Sequence, residues 1–277
     1  MKKSVSPRTP SRTDGAQAIR RSLNVVRVVA QIQRSGATLS RVARATGLNT
    51  STAFRILRSL TEERMLRYSE NEQSYYVGPL AFELGLAASG EAQIQTSWRD
   101  TIEHIARQTR LTTHLVARSD NEGALLICVH GSTALRAVPA EVGQRVPLGM
   151  GSASLALLAA LEDDEIDSVI ASLGPRLDLY PGGTGKPDRI LKRVQLTRRR
   201  GYAVVDGILS PGITGIGIAV PQKRGPLERN TTQLAVSVAG VSSTLNPKAV
   251  EKLAAVVLAA VRSHTVSPRE AHLTGVP

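Results

Sequence analysis

Apolar side chains recur at helical spacing three times near the start of the chain. Ile19, Leu23, Val26, Val29 and Ala30 follow i, i+3, i+4 spacing, and the run reaches Gln33 before Gly36 stops it. Leu39, Val42, Ala43 and Thr46 line a second, shorter helix, with Thr38 placed to cap its start and Gly47 to end it. Ala53, Ile56, Leu57 and Leu60 form a third stripe, which Asn49 can cap. The middle helix has about two turns, too few to be stable alone, so it must pack on its neighbours. Two short helices joined by a Gly-containing turn predict a helix-turn-helix. The β-prone runs Leu66–Tyr68 and Tyr75–Val77 flank a polar turn, Ser69–Ser74, and predict a hairpin of the kind called a wing. Pro79 then opens a short apolar helix, PLAFELGLAA. Its Leu80, Phe82, Leu84 and Leu86 have little of their own domain to pack on, so a second subunit is expected to cover them.

From Gln93 the pattern changes. Helices are predicted at Ile94–Gln108, Ala153–Leu161, Glu165–Ser172, Asp188–Arg200 and Pro247–Arg262. Strands are predicted at Thr112–Ala117, Leu125–His130, Leu135–Val138, Tyr202–Asp206, Ile216–Val220 and Leu234–Ala239. Helices and strands mixed without strict alternation predict an α+β domain around an antiparallel sheet. The expected organisation is a flexible basic arm (1–17), a winged helix-turn-helix (18–78), a linker helix (79–92), a second domain (93–265) and a flexible tail (266–277).

Charge sharpens this picture. The 277 residues carry a formal net charge of +12. Residues 1–78 hold 14 Lys and Arg against 5 Asp and Glu, leaving 21 against 18 for the remainder. A basic N-terminal third implies a polyanionic partner. The stretch LSRVARATGLNTSTAFRILRSL (39–60) holds Arg41, Arg44, Arg55 and Arg58 and no acidic residue. A recognition helix must enter a major groove about 12 Å wide. Small residues at its start, Thr50, Ser51 and Thr52 after Asn49, let the backbone approach, and their hydroxyls can bond phosphates or bases. Arg55 can fork onto a guanine edge or a phosphate, while Ser40, Arg41 and Arg44 on the preceding helix can touch the backbone it crosses. Arg58 and, on the wing, Arg67 complete the expected double-stranded DNA interface.

Other chemistries fit less well. The single Cys128 excludes an internal disulfide. The longest apolar run, Leu253–Val261, is too short to span a bilayer, and no apolar segment follows the basic N-terminus, so a soluble cytoplasmic protein is expected. PGGTGKP (181–187) suggests an alternative, an enzyme or nucleotide-binding protein using the 182–186 loop. The phosphate-loop pattern, however, needs Gly where Tyr180 stands and Ser or Thr where Pro187 stands. His104, His114 and His130 have no compact metal-ligand spacing. Asp163, Asp164 and Glu165 favour a helix start without implying catalysis. No nucleophile elbow occurs, and no enzyme activity, cofactor or metal is expected.

Several blocks, in order and at matching spacing, resemble the IclR family of bacterial transcriptional regulators over roughly residues 18–262. They are ATLSRVARATGLNTSTAFRILRSL, the Tyr75–Pro79 segment, VGQRVPLGMGSASLALLAAL, RRRGYAVVDG and LAVSVAG. The resemblance implies a winged helix, a linker helix and a GAF-like effector domain that binds a small organic acid. It also implies homodimers, often paired into dimers of dimers. The implied effector site comprises Met150, Gly151, Ser152, Ser154, Asp206, Thr214, Gly215, Ile216 and Ser237, where hydroxyls and helix N-terminal amides can hold a carboxylate. The chain departs from the family pattern at Gly149, Ser154 and Leu155, where a His and a Gly-Lys pair are usual. The acidic run that usually follows Gly-Tyr-Ala is reduced to Asp206.

Overall fold

The computed structural model describes residues 12–87, 89–132, 141–177, 184–221 and 233–266. The expected strand at Leu135–Val138, residues 1–11 of the arm, residues 181–183 and the tail beyond Val266 lie outside them. The chain divides into two compact units, Met1–Gln93 and Ile94–Pro277.

In the first unit, helix α1 (Arg12–Ile32) and a 3-10 turn (Gln33–Ser35) lead into α2 (Leu39–Thr46) and α3 (Thr50–Glu62). Helix α1 begins at Arg12, inside the stretch expected as an arm, and runs without interruption into the periodic segment. Thr38 caps α2 by accepting the Arg41 amide, and Asn49 caps α3 by accepting the Thr52 amide at 2.8 Å. Gly47 between them takes φ +67, a left-handed conformation that lets three residues reverse the chain. The apolar stripes meet in one core of Val25, Val28, Val29, Val42, Leu57 and Leu66. Strands β1 (Leu66–Ser69) and β2 (Ser74–Val77) pair as the expected hairpin, and Ala37 bridges to Tyr75, tying the wing to the start of α2. Helix α4 (Pro79–Ala87) follows. The 79–92 linker is therefore not one element among the described residues: Ser89 onwards belongs to α5 (Ser89–Thr109).

The second unit is built on six antiparallel strands. They are β3 (Thr112–Ser119), β4 (Glu122–Val129), β5 (Arg145–Pro147), β6 (Ala203–Asp206), β7 (Ile213–Ala219) and β8 (Leu234–Val241), arranged β5-β4-β3-β8-β7-β6. Strand β5 was not expected; three residues are too few for a visible alternation. One face of the sheet packs with Trp98, Ile102 and Ile105 of α5 and with Val250, Val257 and Val261 of α9 (Pro247–Val266). The other face carries α6 (Ser152–Ala159), α7 (Asp163–Leu177) and α8 (Pro187–Arg200). Strand alternation divides the residues: Leu234, Val236 and Val238 join the first core, while Ala235 joins the second. The acidic start of α7 serves as surface pairing, Asp163 to Arg198 and Glu165 to Arg118, each at 2.6 Å.

The amino end of α6 lies directly on β7. A Cβ at Gly217 would overlap the carbonyl oxygen of Ser152, and one at Gly215 would meet Ser152 Oγ at 2.5 Å. Only glycine permits this approach. Gly217→Ala must displace backbone rather than a flexible side chain. It should lower stability by about 1–3 kcal/mol, read as a reduced urea midpoint with unchanged slope; an unchanged midpoint would contradict the close packing.

Candidate nucleic-acid interface and binding cavity

Ala53 and Leu57 bury one side of α3, so its other residues are presented outward. Thr50, Ser51, Arg55 and Arg58 are exposed, and Thr52 is half-buried. Arg58 pairs with Glu62 at 2.8 Å, an exposed i, i+4 contact that contributes little to stability. Asn49 is engaged as a cap, its Oδ1 also accepting from Ser51 Oγ at 3.0 Å. A groove runs between α3 and the wing, lined by Ser40, Thr50, Phe54, Arg58, Tyr68 and Gln73 among others. Phe54 and Tyr68 stay exposed there at 47% and 39%. Neither was anticipated, although Phe54 stands one turn after Thr50 and off the core stripe. On the wing, the Arg67 guanidinium lies 4.3 Å from the centroid of the Tyr76 ring, a cation–π contact that holds it beside the hairpin.

Arg41, expected beside the DNA backbone, makes contacts within the fold. Its guanidinium donates to the carbonyl of Ser35, to Gly36 O at 2.7 Å and to Ser35 Oγ at 2.9 Å. It thus braces the turn between α1 and α2. Arg44, one turn later, is exposed.

In the second unit a cavity of about 120 Å³ opens between the sheet and the amino end of α6. Val116, Leu125, Val146, Val205, Ile208 and Ile213 form apolar walls, and Ser152, Ser154, Ser210 and Ser237 add hydroxyls. Gly151 is the N-cap of α6 with no side-chain cap, so the first amides of the helix keep their donors at the cavity wall. Ser154 Oγ instead accepts from the Gly151 amide at 2.8 Å.

Of the nine residues expected at this site, Gly151, Ser152, Ser154, Gly215 and Ser237 line the cavity. Met150, Asp206, Thr214 and Ile216 do not. Val205 and Gly215 face the cavity, so Asp206, Thr214 and Ile216 point to the opposite side of the sheet. Asp206 there accepts hydrogen bonds from Ser242 and from Thr214, which hold its carboxyl below the usual range. Ile216 is wholly buried in the core beneath α5 and α9. Met150 is buried in the core of the helical face, its Sδ 4.0 Å from the Arg193 guanidinium. His114, Gln144 and Leu209 line the cavity without having been assigned to it. The three histidines considered as metal ligands do not come together: among the described residues no group of three His, Cys, Asp or Glu could hold a metal ion.

Two family models match this chain. The IclR helix-turn-helix domain matches residues 18–70, and the C-terminal domain of bacterial transcriptional regulator IclR matches residues 87–266. The chain belongs to the IclR family. The Transcriptional repressor IclR of Escherichia coli is 23% identical over 263 residues, covering 94% of this chain and 92% of that protein. The crystal structure of an IclR transcriptional regulator from Alicyclobacillus acidocaldarius superposes with a TM-score of 0.71 at 21% identity, covering 90% and 98% of the two chains. A second structure, an IclR homolog from Microbacterium hydrocarbonoxydans in complex with 4-hydroxybenzoate, gives 0.67 at 21% identity, covering 90% and 100%. This IclR-family chain is thus a DNA-binding transcriptional regulator with a C-terminal effector-binding domain. Among its described residues no helix is long and apolar enough to cross a membrane.

The brace made by Arg41 has a measurable consequence. Arg41→Ala should lower the thermal midpoint, with a loss of about 1 kcal/mol for the surrendered hydrogen bonds. A midpoint equal to wild type would return Arg41 to the set of side chains free for DNA.

Proposed function

We propose that this protein is a homodimeric repressor that binds a pseudo-palindromic operator and responds to a small organic acid held in the cavity beside α6. The uncapped amino end of α6 at the cavity wall carries the acid reading. Helix N-terminal amides and the dipole behind them favour an anion, and the apolar walls suit the body of a small organic molecule. Arg193 and the other charged side chains lie outside the lining, so affinity would come from amides and hydroxyls rather than an ion pair. The 4-hydroxybenzoate bound to the Microbacterium relative supports the same ligand class, and the repressor named in Escherichia coli supports the sign of regulation. Inside the cell, Thr50, Ser51, Thr52, Arg55 and Arg58 would face the major groove, with Ser40, Arg44 and Arg67 on the flanking phosphates. The protein would then act without catalysis.

Fluorescence anisotropy on a labelled operator tests this reading. Arg55→Ala should keep wild-type stability and lose about 1–3 kcal/mol of affinity per half-site. A bound organic acid should shift wild-type affinity by roughly 5–150-fold, and Ser237→Leu, which fills the cavity, should abolish that response. Normal operator binding by a folded Arg55→Ala protein, or an undiminished response in Ser237→Leu, counts against the assignment.

The dimer has its own support. Phe82 and Leu84 on α4 are 68% and 52% exposed, more apolar surface than a short helix leaves in water without a partner. Two-fold protein symmetry projects onto two-fold DNA. Light scattering at micromolar concentration should return at least twice the chain mass, and a monomer there would defeat the proposal.

A further inference from the structure

One buried polar side chain in the cavity wall has a ring nitrogen that the fold leaves without a partner. His114 stands on β3 opposite Ser237 of β8, and its ring lines the cavity with 7% of the residue exposed. Its Nδ1 lies 3.5 Å from Ser237 Oγ, and no protein group partners its buried Nε2. A ring nitrogen withheld from water and left unpaired is destabilising, and a ligand atom in the cavity that His114 lines would complete the bond. Burial, with the nearby His130 adding to it, pulls the pKa of His114 down to about 4, and the ring is neutral near pH 7. No Asp, Glu, Lys or Arg occurs among the residues lining the cavity.

The cavity therefore offers two unlike polar places: the amides of α6 for an anion, and a neutral imidazole nitrogen for something uncharged. The tautomer decides what that nitrogen needs. If Ser237 donates to Nδ1, Nε2 carries the proton and needs an acceptor; if Nδ1 donates to Ser237, Nε2 needs a donor. A hydroxyl satisfies either case, and a methyl satisfies neither. We propose that His114 reads a hydroxyl on the bound acid, so that the effectors of this protein are hydroxy acids. This rests on the reading that the cavity holds an organic acid. The competing arrangement sets the carboxylate itself against His114. That would favour the charged ring and draw a proton from solution on binding.

Isothermal titration calorimetry on the full-length protein at pH 7 separates these arrangements. Two pairs of acids exchange a hydroxyl for a methyl: 4-hydroxybenzoate with 4-methylbenzoate, and lactate with 2-methylpropanoate. The hydroxylated member of at least one pair should bind about 10–100-fold more tightly. Its binding heat should not depend on the ionisation enthalpy of the buffer, since no proton is taken up. In His114→Phe the preference should vanish, while His114→Gln, which keeps a hydrogen-bonding amide, should retain part of it. Equal affinity within the pairs, a preference that survives in His114→Phe, or uptake of about one proton overturns the role of His114 but leaves the organic-acid reading standing. Should His114→Phe fail to fold, the wild-type pairs and the proton count still decide. If none of the four acids binds wild type, the organic-acid reading falls, and this inference with it.

Discussion

The amino end of α6 rests on the sheet with nothing larger than a hydrogen atom between them at Gly217. Much of the second unit's binding chemistry depends on that approach. Because the helix comes so close, its first residues become one wall of the cavity and the glycine-bearing face of β7 becomes another. The α6 side chains from Leu155 to Leu158 are buried, which fixes the helix in place. Its first residues, without a side-chain cap at Gly151, thereby stand at the cavity wall. Leu155 is fully buried in this core. The residues lining the cavity include no Asp, Glu, Lys or Arg, and its polar groups are hydroxyls, amides and one imidazole.

A comparable economy governs the first unit. Its helices are short, and α2 alone would not persist in water. Caps at Thr38 and Asn49, the left-handed turn at Gly47 and the shared core fix the angle between α2 and α3. Arg41 adds a brace from α2 back to the turn that precedes it. The wing is bound to the same core through Leu66 and Tyr75. The outward residues of α3 are therefore carried on a rigid support, and the groove beside the wing keeps two exposed aromatic rings within reach of whatever the helix enters.

Periodicity, caps and turn residues are local signals, and in the first unit local signals suffice. The three helical stripes, the Gly47 turn and the hairpin can all be read from residue spacing, and so can the concentration of arginine on the outward faces. The second unit was legible as helices and strands, with boundaries displaced by a few residues, but its site was only partly so. The order β5-β4-β3-β8-β7-β6 brings His114 beside Ser237, residues 123 positions apart. Spacing along the chain carries no trace of such a pairing.

What the sequence alone determined is the family, the winged helix-turn-helix and its basic outward faces, because these follow from neighbours three and four residues apart. Which side of the sheet each strand residue occupies was decided by tertiary structure. Asp206, Thr214 and Ile216 are chain neighbours of cavity-lining residues yet turn away from the cavity, since β6 and β7 present Val205, Ile213 and Gly215 instead. On β4 the register shifts opposite Leu115 and Val116, so that Leu125 lines the cavity while Ile127, two residues on, joins the core on the other face. Simple alternation would set both on one face. One extra residue in a strand reverses the facing of all that follows it, and only the pairing of the strands reveals where that residue is.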